Sequence, residues 1–130
     1  MKTLVEHINE ALKIGKDLSE WSSYSCQPTT KDELIEIIRD RIRKEGYDCD
    51  LNDIDTSLIT DMSYLFGQSP FNGDISKWDV SNVKYTHGMF GQSSFNRDIS
   101  KWKINKNFDT TNMFKDCPIR DEYKPKSLQS

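Results

Sequence analysis

The chain has 130 residues, enough for one domain with a single core and too few for two. Its 18 Lys and Arg against 21 Asp and Glu give a net charge of −3, a balance that disfavours general nucleic-acid binding. Hydrophobic residues make up only 35% while aromatics hold 11%, which predicts a shallow, elongated core filled by large rings.

In chain order, the first 15 residues place Glu6 and Glu10 inside an apolar stretch and offer no small-residue cleavage site, so no secretory signal is expected. No apolar run approaches the roughly 18 residues of a membrane span. A cytoplasmic location without membrane contact is therefore the expectation. Leu4, Ile8, Ala11 and Leu12 share one face and predict a first helix ending at Gly15. Asp17-Leu-Ser-Glu-Trp21 echoes a later Asp74-Ile-Ser-Lys-Trp78, and Trp21 to Pro28 reads as a polar connection. Thr30-Lys-Asp-Glu33 is a capping box that opens a second helix, with Leu34, Ile38 and Ile42 on its apolar stripe and Gly46 as its stop. The two helices, within residues 1–50, are read as an N-terminal cap.

From Leu51 the sequence repeats itself every 24 residues without a gap, as Leu51–Asp74, Ile75–Asp98 and Ile99–Glu122. Leu51/Ile75/Ile99, Ile54/Trp78/Trp102, Phe66/Phe90/Phe114 and Phe71/Phe95/Ile119 keep their size and polarity down each column. Periods of about 20 to 29 residues are typical of leucine-rich-repeat solenoids, in which stacked neighbours share one core. Ile75-x-x-Trp78-x-Val80 fits the LxxLxL pattern of a short strand, and Val83, Thr86, Met89 and Phe90 approach a helical period, with Ser81 or Asn82 as cap and Gly91 as stop. The expected fold is thus α/β, a short solenoid of three strand-helix coils over residues 51–122, capped by two helices and followed by a frayed tail over 123–130.

The run FNGDISKWDVSNV, a following Met-Phe pair and FNRDISKW closely resemble the BspA-like leucine-rich-repeat family, also called the mycoplasma lipoprotein repeat. The preceding residues 28–66 are similar to the leader of short members from gut bacteria and their phages. The resemblance implies a repeat protein used for protein-protein interaction, often in surface adhesion, and implies no catalysis.

On the expected strands, alternation turns Asp53 and Asp55, then Lys77 and Asp79, then Lys101 and Lys103 outward on the concave face. By whole unit the charge is −4, +1 and +1, a gradient able to steer and hold a complementary partner. Those six residues are the candidate binding surface. Trp78, Trp102, Phe66, Phe90, Phe114, Phe71 and Phe95 recur in fixed columns and are read as core ladders, which leaves Trp21 and Tyr24 as better exposed contacts.

Asp48, Asp50, Asn52, Asp53 and Asp55 imitate the start of a calcium loop, but Asp53 replaces its glycine and Ile59 its final Glu, so no metal or cofactor is expected. Arg39, Arg41, Arg43 and Lys44 alternate with Glu33, Glu36, Asp40 and Glu45, the pattern of a salt-bridged surface helix. His7, His87 and the free-standing Cys26, Cys49 and Cys117 assemble no recognisable acid, nucleophile or phosphate loop, and an enzyme is not expected. The function read from the sequence is a non-enzymatic module that binds another protein, as a monomer or weak homodimer. The alternatives are a phage or mobile-element inhibitor of a bacterial defence complex, or a fragment of a surface adhesin.

Overall fold

The computed structural model of the chain describes residues 2–3, 24–104 and 108–130. The expected first helix, the Asp17–Trp21 echo, Trp21 and His7 lie outside the described residues. Two short strands, β1 (Lys2–Thr3) and β2 (Cys26–Gln27), pair antiparallel, Lys2 opposite Gln27 and Thr3 opposite Cys26. Helix α1 spans Lys31–Glu45. The Thr30 hydroxyl accepts from the Glu33 N–H at 3.2 Å, and the Glu33 carboxylate accepts from the Thr29 N–H at 2.9 Å, so the capping box closes one residue wider than the usual form. At the other end the Gly46 N–H donates to the Ile42 carbonyl at 2.8 Å, with φ of 90°. Leu34 and Ile38 are buried, Ile42 half-buried.

The expected α/β solenoid of three strand-helix coils is overturned. Among the described residues α1 is the one α-helix, and residues 51–122 contain neither an α-helix nor a strand beyond a short 3-10 turn opening at Asp121. What the repeats form is a stack of turns. Down one side of each unit, alternate N–H groups have two destinations. Those of Met62, Tyr64, Phe66 and Gln68 donate to the carbonyls of Tyr85, His87, Met89 and Gly91 in the next unit, at 2.8 to 3.1 Å. Those of Leu65, Gly67 and Ser69 donate three residues back within their own unit. The second unit repeats the arrangement against the third, and parallel bridges join Asp61 to Tyr85 and Tyr85 to Asp109. Left-handed backbone recurs in two columns, Tyr64, Gly88 and Asn112 and then Gln68, Gln92 and Asp116, with φ between 54° and 62°. That alternation is what breaks the helix expected from Val83 onward. Consecutive three-residue turns bury Val83, Thr86, Met89 and Phe90 at the same spacing a helix would use.

The LxxLxL segment fails as a strand for a related reason. The Trp78 N–H donates back to the Ile75 carbonyl at 3.1 Å, folding Ser76 and Lys77 into a turn. Ile75, Trp78 and Val80 still bury their side chains. The aromatic columns stack, Phe66 on Phe90 on Phe114 at 5.7 and 5.6 Å, Phe71 on Phe95 at 6.3 Å, and Trp78 on Trp102 at 6.4 Å, all within 10° of parallel. Each indole N–H donates to a carbonyl of the preceding unit, Trp78 to Leu51 and Trp102 to Ile75. Burial of such rings contributes about 1.5 to 3 kcal/mol apiece. The tail is not frayed. Its turns at Asp121–Tyr123 and Lys126–Leu128 bring the Tyr123 carbonyl to the Ile99 N–H at 2.9 Å and bury Pro125.

Candidate functional site

Asp-x-Ser/Thr steps shape the surface of the stack. Asp55, Asp61, Asp74, Asp79, Asp98 and Asp109 each accept, through one carboxylate oxygen, the N–H two residues on, at 2.8 to 3.1 Å. The Ser76, Ser81 and Ser63 hydroxyls add bonds to the same oxygens. Asparagines join the units, since Asn52, Asn72 and Asn96 accept through their side chains from the N–H groups of Lys77, Asn96 and Arg120. The Asp-x-Ser/Thr recurrence is visible in the sequence, and strand alternation, the wrong rule for turns, obscured its meaning.

The six candidate binding residues separate into two groups. Asp53 and Asp55 are consumed inside the fold. The Arg41 guanidinium reaches Asp53 at 2.8 Å and the Ser25 hydroxyl donates to it at 2.5 Å, while the Gln27 side chain donates to the buried Asp55 carboxylate at 2.9 Å. These bonds, with those of the Cys26 and Ser25 main chain, tie β2 and α1 to the first unit. Burial acts to raise the Asp53 pKa, but Ser25 and Arg41 more than offset it and hold the carboxyl below its ordinary range. Lys77, Asp79, Lys101 and Lys103 are exposed. Among the described residues none of the four makes an ion pair within 4 Å, whereas the Asp79 carboxylate is already engaged by Ser81. Lys101 and Lys103 line a groove of about 590 Å³ with Trp102, Ile104 and Lys126. Lys126 is absent from the sequence-derived surface because it lies in the tail expected to be frayed.

The ladder residues Trp78, Trp102, Phe66, Phe90, Phe71 and Phe95 are buried, and Phe114 is half-buried at the end of its column. Tyr24 is half-buried. Three of the four clustered basic residues of α1 are paired, Arg41 with Glu45 and Asp53, Arg43 and Lys44 with Asp40. His87 has a buried Nδ1 that stands 3.3 Å from Asp109 Oδ2, an ion-pair distance without hydrogen-bond alignment, and its ring lies edge-on to Tyr64. Burial pushes the Cys26 and Cys49 thiols up, away from the thiolate a nucleophile needs. Among the described residues no three His, Cys, Asp or Glu side chains could hold a metal ion, and no helix is long and apolar enough to cross a membrane.

The family model described as "Mycoplasma protein of unknown function, DUF285" matches residues 40–122. Neither the curated proteins nor the solved structures contain a match.

Proposed function

The chain belongs to the DUF285 family, and from that premise we propose that it is a non-enzymatic module binding one acidic protein partner on the face carrying Lys77, Asp79, Lys101 and Lys103. The observation that carries this reading is the groove lined by Lys101, Lys103 and Lys126. Lys101, Lys103 and Lys126 share the groove with apolar Trp102 and Ile104, and among the described residues Lys101 and Lys103 make no ion pair within 4 Å. Asp79 and Asp98 of the second unit and Asp109 of the third each serve their own turn. Unpaired cations around an apolar floor attract an anionic surface and then reward its desolvation. The finer reading, repeats of BspA-like type used for protein contacts, is part of the same proposal and rests on FNGDISKWDVSNV and FNRDISKW.

Immobilised chain is expected to capture a specific protein from bacterial lysate, and a Lys101→Glu/Lys103→Glu bait is expected to lose it. An identical set of captured proteins on both baits would sink the proposal. The identity of the captured protein then separates a defence-complex subunit from another intracellular partner or an adhesion target.

A further inference from the structure

We propose that the N–H groups of Thr110, Asn112, Phe114 and Asp116 form a docking edge for an extended, acidic segment of another protein, which supplies main-chain carbonyls at every second residue. The rule is set twice inside the chain. The first unit donates through Met62, Tyr64, Phe66 and Gln68, and the second through Thr86, Gly88, Phe90 and Gln92, to carbonyls of the following unit at 2.7 to 3.1 Å. In the third unit the corresponding row is Thr110, Asn112, Phe114 and Asp116, and among the described residues none of these four N–H groups has a hydrogen-bond partner. The tail bonds to this unit through Tyr123 on Ile99, and among the described residues none of its groups accepts from the row. Beside the row, the Phe114 ring ends its column half-buried, with the Lys124 ammonium 5.6 Å from its centroid.

An open row of donors is a template for main-chain pairing. A second copy is a poor occupant. Among the described residues the matching acceptors, the carbonyls of Asp61, Ser63, Leu65 and Gly67, accept no hydrogen bond either, but α1 stands on that side of the first unit, with Lys31 bonded to the Ser63 hydroxyl at 3.0 Å and Ile38 and Ile42 lining one groove with Leu65 and Gly67. A different chain therefore fits. Residues 99–130 hold seven Lys and Arg against four Asp and Glu, which favours an acidic segment. Three of the seven, Lys101, Lys103 and Lys126, also line the groove, so the acidic character of the segment rests on the same cations as the proposed function.

Amide exchange followed by NMR on the full chain tests this. In the free chain the amides of Thr110, Asn112, Phe114 and Asp116 exchange fast while those of the eight inner donors are protected. The probe is a synthetic peptide of residues 82–96 with Lys84→Glu, which carries the Tyr85, His87, Met89 and Gly91 carbonyls. At about ten times its Kd it slows the four edge amides about tenfold, and a scrambled peptide does not. Protection of the four amides in the free chain, no slowing by the peptide, or protection that appears only with dimerisation would each overturn the proposal.

Discussion

Gly73 stands where a Cβ would run into the Cys49 carbonyl and the Phe71 ring, one of them backbone and the other a fully buried core residue. Gly88, at φ +62°, is closed by the ring of Tyr64, an exposed side chain free to move. Gly73→Ala is therefore expected to cost about 2 to 4 kcal/mol. Gly88→Ala costs about 1 to 2 kcal/mol, falling to the left-handed backbone cost of about 1 kcal/mol in a Tyr64→Ala background. Chemical denaturation of the three variants checks this, and equal losses at both glycines would contradict it. Asp53 carries a second residue-scale expectation. Its pKa is lowered in the folded chain, so the stability it contributes is complete above the ordinary unfolded value of about 4 and is lost as pH falls through the folded value. Asp53→Asn is expected to lower stability at neutral pH and to shrink the loss on acidification. Denaturation midpoints at neutral pH and well below about pH 4 measure both effects. Asp61 and Asp74, also held low despite partial burial, keep some acid sensitivity in that variant.

At the scale of elements, α1 was legible because its signals are local. Thr30, Glu33 and Gly46 sit within a turn of what they cap, and no distant contact is needed to read them. Thr30→Ala is expected to cost about 1 kcal/mol, and Thr30→Ser a small part of that, by thermal or chemical denaturation. The repeat units were legible in their period and not in their backbone. The 24-residue register appears in the stacked pairs Phe66–Phe90 and Trp78–Trp102. Yet Val83, Thr86, Met89 and Phe90 match both a helix and a run of three-residue turns, and only the left-handed residues separate the two. Tyr64 and Gln68 are not residues that advertise positive φ, so the sequence hides the distinction at those positions. The candidate site suffered from the same error. Strand alternation grouped Asp53 and Asp55 with the lysines, whereas Arg41 and Gln27 draw both acids into the fold.

For the whole molecule, the low hydrophobic fraction is accounted for by ring columns, one running through all three units and two spanning a pair of units, with α1 and β2 against the first unit and the tail against the third. The charges follow the same axis. Acidic residues of the first unit are tied to Arg41, Lys31 and Gln27, while the third unit and tail leave Lys101, Lys103 and Lys126 around one groove. A partner held there feels an attraction that salt weakens and charge reversal removes. The most direct test is a titration of the captured partner against the wild-type chain and the Lys101→Glu/Lys103→Glu variant, at low and at physiological salt. The expected result is a loss of affinity of about tenfold or more in the variant, together with weaker wild-type binding as salt rises. Equal affinities for the two chains at low salt would contradict it.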